Sequence, residues 1–478
     1  MSTVATAAGD VVGTVVVGGA QEREIYHFGG VPYATASRFG LPLAPTPWAT
    51  ARDATRSGAA PPQRSEGLDL VPGMTPHATS EDCLTAEVFT PDTAGRRPVL
   101  IWIPGGSFRV GGAGLPTYDG RHLCADGDIV VVGLNYRIGL LGFLSAPGVP
   151  TNLGLRDLLA GMAWVRANIA QFGGDPEQVT VMGESAGAGA IMHLLTDPDF
   201  NCLRAILLSG SPTTTLTAIT AAQVGERVLE LAGVRCLDDL ASMTVDELLD
   251  VQDKAVADLA MSVGMMPFHP WVDGDVVALT PLEAIAQGAL APVPMVVCTT
   301  ANEMELFRSA VPQLPRDYAL GMLTGKGRAL GLDAEGVNRG LTACGDDLVL
   351  AIADIDLQLP ALLIAEHHRH RDIAVWRATF TWESAEHRAC HAVDLPFHFG
   401  TLDVAEWRAF AAAVDNPAAD RLSLRLRRAW AAFATTGRPS CEPLGDWPQW
   451  DGGETVIELG HEVRVVDDPA AQRLRSWR

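Results

Sequence analysis

The chain has 478 residues, of which 47% are hydrophobic and 19% charged. This is a globular composition with no uninterrupted apolar window of membrane-spanning length. A formal net charge of −22 disfavours nucleic acid and anionic membrane as partners. Eight cysteines, at 83, 124, 202, 236, 298, 344, 390 and 441, lack C-x-x-C spacing, which argues against a zinc site and for small buried hydrophobes.

Residues 1–10 carry no basic region followed by an apolar block, so the expectation is a cytoplasmic protein without a secretory signal. Val99-Leu100-Ile101-Trp102-Ile103 reads as a buried strand, and the small residues of Pro104-Gly105-Gly106-Ser107-Phe108 after it can turn backbone N–H groups toward a developing oxyanion. Residues 129–134 form a second such run. Leu155, Leu158, Leu159, Met162, Val165 and Ile169 then recur at helical spacing. Val179-Thr180-Val181-Met182 is a third strand, and it leads into Gly183-Glu184-Ser185-Ala186-Gly187 and a small-residue helical run.

This pentapeptide is the sharpest signal in the chain. A tight strand-to-helix turn holds a serine at its apex with the following N–H groups facing the hydroxyl, and small neighbours let the chain come round. The bare G-x-S-x-G pattern is weak, since chance alone gives roughly 0.2 occurrences in a chain of this glycine content. Its place between a strand and a helix makes it informative.

Ala205-Ile206-Leu207-Leu208-Ser209 continues the alternation, and residues 213–290 then turn mainly helical. A strand-like run returns at residues 293–298, followed by Thr299-Thr300-Ala301-Asn302-Glu303-Met304-Glu305, which offers two carboxylates. A second helical excursion spans residues 308–372. The run at 373–380 resumes the sheet, and His391 follows in a loop with Ala392, Val393 and Asp394. The alternation predicts an α/β architecture, a central mostly parallel sheet flanked by helices, in one domain over residues 1–478 with no linker or repeat. In such sheets the site lies beyond the carboxyl ends of the strands, so Ser185, an acid (Glu303 or its rival Glu305) and His391 should converge.

Over nearly its full length the chain resembles the type-B carboxylesterases, the α/β-hydrolase group that includes bacterial p-nitrobenzyl esterases and cholinesterases. The matching segments are Phe28-Gly29-Gly30-Val31-Pro32-Tyr33-Ala34, Arg38-Phe39, Ser80-Glu81-Asp82-Cys83-Leu84, Asn135-Tyr136-Arg137 and Gly142-Phe143-Leu144. Further matches are Asn152-Leu153-Gly154-Leu155-Arg156-Asp157, Trp164-Val165, Asn168-Ile169, Phe172-Gly173-Gly174-Asp175-Pro176 and the Gly183 to Gly187 turn.

The resemblance implies an α/β-hydrolase fold with helical insertions over the active site. It also implies a carboxylic-ester hydrolase that needs no metal or organic cofactor and takes a small-molecule ester, with Ser185 as nucleophile, Glu303 as acid and His391 as base. Gly106, Ser107 and Ala186 would supply oxyanion N–H groups, Ser209 would support the acid, and Gly105 and Phe108 would lie at the pocket. Glu184, beside the nucleophile, would line the pocket and bias it against anionic substrates, or serve as a buried structural carboxylate. The same triad could serve amide or carbamate cleavage or acyl transfer, while a non-catalytic adhesion or scaffold protein would lack the nucleophile.

The chain also departs from the family pattern. Pro104 and Ser107 replace the first and last residues of the usual His-Gly-Gly-Gly loop, and Asn302-Glu303-Met304 replaces Asp-Glu-Gly. The hole is expected to survive Ser107 with altered tolerance for bulky acyl groups. Cys83 matches a cysteine that is bridged in secreted relatives, but its partner position is Pro61. Residues 71–75 lack the tryptophan with which cholinesterases hold choline.

Overall fold

A computed structural model of the chain describes residues 1–478 apart from 65–70, 199, 310–314 and 443. Among the described residues one sheet contains β1 (Ser2–Thr6), β2 (Gly9–Gly18), β3 (Arg23–Pro32), β4 (Arg52–Asp53), β5 (Thr85–Thr90), β6 (Arg97–Ile103) and β7 (Val130–Leu134). It continues with β8 (Gly174–Glu184), β9 (Arg204–Leu208), β10 (Met295–Thr300), β11 (Val375–Phe380), β12 (Thr455–Leu459) and β13 (Val463–Asp467). The spatial order is β1-β2-β3-β5-β7-β6-β8-β9-β10-β11-β12-β13, with β4 beside β2. Every pair from β7 to β12 is parallel, whereas β1, β2, β3, β5 and β7 pair antiparallel in succession, as do β12 and β13.

The central strands are mainly apolar because both faces are covered, and the buried Arg377 of β11 is matched by Asp468 at 3.0 Å. In β6, Val99, Ile101 and Ile103 enter one core while Leu100 and Trp102 enter the other. In β9, Ala205 and Leu207 face the first core and Ile206 and Leu208 the second. Each such side chain contributes about 1.5–3 kcal/mol of burial, so these strands leave little freedom of register. The expected run at 293–298 is displaced to Met295–Thr300, since Pro294 has no N–H to give the ladder and only its carbonyl is used, by Ala205 N at 3.1 Å.

Within residues 213–290 lie helices Ala218–Ala232, Leu237–Ala241, Val245–Leu259 and Pro281–Gln287. Two of them begin with capping boxes, Thr244 with Glu247 and Thr280 with Glu283, a device worth about 1 kcal/mol at each N-terminus. Residues 308–372 carry helices Arg316–Ala329, Ala334–Ala343, Leu348–Ala353 and Leu359–His370, the last two joined by a π-helical turn over Asp354–Gln358. A third hydrophobic cluster sits here, closed by Trp477, whose indole N–H donates to Asp354 at 3.0 Å. The continuous stretch Leu348–His370 is apolar and long enough to cross a membrane, which the composition had not suggested, yet 72% of its most apolar 18-residue window is buried inside the protein.

Of the cysteines, 83, 124, 202, 298, 344 and 390 are buried, and none is paired among the described residues. Arg137 and Asp157 form a bidentate pair at 2.8 and 2.6 Å, buried between the strand β7 exit and helix Leu153–Asn168. Asp157→Asn leaves the guanidinium buried without a counter-charge and is expected to cost about 3–5 kcal/mol of unfolding free energy in urea titration. A loss below about 1 kcal/mol would show that the pair carries no such weight.

Candidate active site

The parallel strands end at neighbouring levels: Ile103 pairs with Gly183, Glu184 with Leu208, Cys298 with Leu208, and Thr300 with Phe380. Whatever follows each strand is therefore brought to one edge of the sheet. After β8 comes Ser185, at φ 54° and ψ −122°, and helix Ala186–Leu194 starts at once. This is a strained conformation for a serine, and the surroundings enforce it. Ser185 N donates to Leu208 O at 2.9 Å, and a Cβ on Gly187 would lie 2.0 Å from Ile103 O, so only glycine lets the helix start approach β6.

The loop after β6 lies against the same turn. A Cβ at Gly105 would lie 3.1 Å from Ser185 Cβ. Gly106 has φ 111° and a Cβ there would meet Val110 O at 2.2 Å. Ser107 and Phe108 follow at φ 56° and 54°, with Phe108 buried edge-on to Phe143. Among the described residues the N–H groups of Gly106, Ser107 and Ala186 reach no protein acceptor, a set of donors left for something else. Ser107 is half-buried, and its β-carbon is accommodated at positive φ.

After β10, Glu303 is fully buried and its carboxylate is saturated. Oε1 accepts from Ser209 Oγ at 2.7 Å and from Thr300 N at 2.8 Å, and Oε2 takes His391 Nδ1 at 2.7 Å. Ser209, just past β9, is itself buried at φ 47°. The acid and histidine loops are also tied through backbone, His391 N to Glu303 O at 3.1 Å and Asn302 N to Ala389 O at 2.9 Å. Glu305 points elsewhere and forms an ion pair with Arg308 at 2.6 Å.

The contact the sequence does not foretell is at the other face of the imidazole. Glu184 Oε1 lies 3.0 Å from His391 Nε2, though not aligned for a hydrogen bond. No hydrogen bond joins Ser185 Oγ to the ring, and catalytic hydrogen bonds in general often tighten only when substrate binds. Burial pushes the Glu184 carboxyl up, to about 8, with His391 pulling the other way. Burial holds His391 down, but the Glu184 charge and then the Glu303 hydrogen bond outweigh it and push the imidazole up to about 9. The two groups titrate as a pair, displaced upward.

With His391 in the role of base, the ring would have to be neutral to accept a proton, and the acid limb of the rate profile should then lie above the ordinary imidazole value of 6.5. Glu184→Gln removes the anion facing Nε2 and should move that limb to lower pH. A limb that stays in place in the variant, or a wild-type rate unchanged down to about pH 4, contradicts this assignment.

A cavity of ≈ 540 Å³ is lined by His27, Arg56, His77, Glu87, Tyr118 and Asp119 among others, and includes none of Ser185, Glu303 and His391. Its main polar pair is already committed: Glu87 accepts from Gly30 N and Gly58 N and contacts His27 Nε2 at 2.9 Å.

Comparison with known proteins agrees with this frame. The carboxylesterase family profile matches residues 1–318. The chain is 36% identical over 479 residues to the para-nitrobenzyl esterase of Bacillus subtilis (strain 168), covering 96% of each chain. It is 31% identical to the fumonisin B1 esterase of Sphingopyxis macrogoltabida, over 92% of this chain and 84% of that one. Among solved structures, a thermophilic PNB esterase superposes with TM-score 0.89 at 32% identity over all of both chains. A carboxylesterase from Geobacillus stearothermophilus superposes with TM-score 0.85 at 30% identity, again over all of both chains. Shared sequence over almost the whole length and a shared fold lead to one conclusion: the chain belongs to the carboxylesterase family and is a carboxylic-ester hydrolase.

Proposed function

We propose that Ser185 is the nucleophile, His391 the general base and acid, and Glu303 the group that orients the imidazole, acting on small and aryl esters through an acyl-enzyme. The observation that carries this reading is the Glu303 Oε2 to His391 Nδ1 contact of 2.7 Å, together with a strained serine at the strand-to-helix turn and three amides without a protein acceptor. His391 takes the Ser185 proton as the hydroxyl attacks the ester carbonyl, and Gly106, Ser107 and Ala186 hold the oxyanion. The alcohol departs with the proton from His391, and water repeats the two steps on the acyl-enzyme to release the acid.

The whole chain acts as one catalytic domain in this reading, and the helical excursions over residues 213–290 and 308–372 form the cap and pocket walls. Ser107 narrows the hole relative to glycine and disfavours bulky acyl groups. The protein works in the cytoplasm on small molecules, with no nucleic-acid or membrane partner, in keeping with a net charge of −22. Residues 71–75 place no aromatic group for a choline headgroup.

A second reading keeps the same residues and uses them mainly on amides or carbamates, or in acyl transfer. Its support is that relatives named for different substrates share this frame: a fumonisin B1 esterase and the phenmedipham hydrolase of Pseudarthrobacter oxydans, the latter 28% identical over 98% of this chain. Leaving group and acceptor are chosen by the walls, not by the triad. The deciding assay compares release of p-nitrophenol from the acetate and butyrate esters and the matched carbamates with release of p-nitroaniline from the matched anilides. Preference for the esters supports the first reading, and faster anilide or carbamate cleavage supports the second.

A further inference from the structure

We propose that Gln63 is a positioning residue for the oxyanion loop: its carboxamide clamps Gly111 and thereby sets where the Gly106 and Ser107 amides point. The inference rests on the reading of those amides as the oxyanion hole. The loop is held at three levels. At its start Tyr136 Oη donates to Pro104 O at 2.9 Å, and within it Arg109 N and Val110 N donate to Gly106 O at 3.0 and 2.9 Å. At its end Gly111 N donates to Gln63 Oε1 at 2.8 Å, while Gln63 Nε2 donates to Gly111 O at 2.7 Å and to Pro61 O at 2.9 Å.

Gln63 is buried and treats Gly111 as a neighbouring strand would, exchanging one N–H and one C=O. Few side chains offer a donor and an acceptor side by side, and asparagine, which also does, is one methylene shorter. The clamp reaches the reactive amides through hard contact. Gly111 has φ +107°, and a Cβ there would lie 2.5 Å from Gly105 O, so Gly111 sits directly against the residue that precedes Gly106.

The segment bearing Gln63 is itself anchored. Ala60 N donates to Ala78 O at 3.0 Å and Ser80 N to Ala60 O at 2.9 Å. Next to Gln63, Arg64 pairs with Asp250 at 2.6 Å and with Asp253 at 3.3 Å, and Asp253 also takes Arg109 of the oxyanion loop at 3.1 Å. Both flanks of the clamp are thus tied to helix Val245–Leu259, so a change at Gln63 is not absorbed by drift of its own segment.

The test uses the full chain and compares wild type, Gln63→Ala, Gln63→Glu and Ser185→Ala. Competent sites are counted by the p-nitrophenol burst with a p-nitrophenyl organophosphate carried to completion. Turnover per counted site is then measured on p-nitrophenyl butyrate, with inhibition by a trifluoromethyl ketone, whose adduct places an oxyanion in the hole. Gln63→Glu keeps the acceptor for Gly111 N and opposes a carboxylate to Gly111 O and Pro61 O at unchanged size.

The expected result is a fall in kcat per site of about 10-fold for Gln63→Glu and about 100-fold for Gln63→Ala, the scale of an ångström-size displacement of a catalytic group. The ketone should weaken by the same factors, with KM and the acid limb unchanged. If kcat per site and ketone affinity stay within twofold of wild type while thermal stability drops, Gln63 is a packing residue only and the proposal is overturned. Should Gln63→Ala fail to accumulate, Gln63→Glu decides on the same criteria. Failure of the underlying reading looks different, for then wild type gives no stoichiometric burst or Ser185→Ala remains active.

Discussion

Ser185→Ala is expected to lower turnover of p-nitrophenyl butyrate by about 10⁵–10⁶-fold while leaving the fold intact. The size follows from the role: without Oγ there is no acyl-enzyme, and His391 has no proton to take. The residual rate would come from the unengaged amides of Gly106, Ser107 and Ala186, which can still polarise a bound carbonyl toward water. Stability should hardly fall, because among the described residues the Ser185 hydroxyl makes no capping hydrogen bond to the helix it precedes and alanine fits the same turn. A slight rise in Tm would suit the usual trade between active-site strain and stability. Activity within tenfold of wild type would remove Ser185 from the mechanism and leave the strained turn without a chemical purpose.

The strand ends that gather this chemistry were visible in the sequence because β6 to β11 are buried on both faces and read as apolar runs. The antiparallel wing was not. In β5 every residue is buried, yet Glu87 interrupts the apolar pattern at its centre; its charge is tolerated because His27, Gly30 and Gly58 converge on it, which no local window reveals. Strands β12 and β13 are short, β13 is largely exposed, and Trp477 fills the third cluster from 118 residues beyond Leu359.

At the site the pattern was similar. Ser185 directly follows a strand and stood out from that position, whereas strand position left Glu303 and Glu305 both open and Ser209 was singled out only by the resemblance. His391 lies 11 residues beyond Phe380 and was legible by chain order and resemblance. The Glu184 to His391 contact and the Gln63 clamp, which spans 48 residues to Gly111, depend on loops whose path the strands do not dictate.

Glu303→Gln should cost about 10⁴-fold in kcat, whereas Glu305→Gln should change it less than twofold. The substitution at 303 is nearly isosteric, so the loss must come from the direction of one proton. Ser209 Oγ and Thr300 N both donate to the Oε1 position and will keep the amide oxygen there. The amide nitrogen is then forced to the Oε2 position, where it donates to His391 Nδ1. That nitrogen becomes the acceptor, Nε2 carries the hydrogen, and the imidazole can no longer take a proton from Ser185.

Glu184 cannot stand in for the lost carboxylate, because it faces Nε2, the nitrogen that must stay free for the serine. Glu305, by contrast, gives up only a partly exposed pair with Arg308, worth about 0–1 kcal/mol. The measurement is kcat per titrated site for both variants at the same pH. Equal losses, or a Glu303→Gln enzyme within tenfold of wild type, would mean that His391 is oriented by something other than this carboxylate.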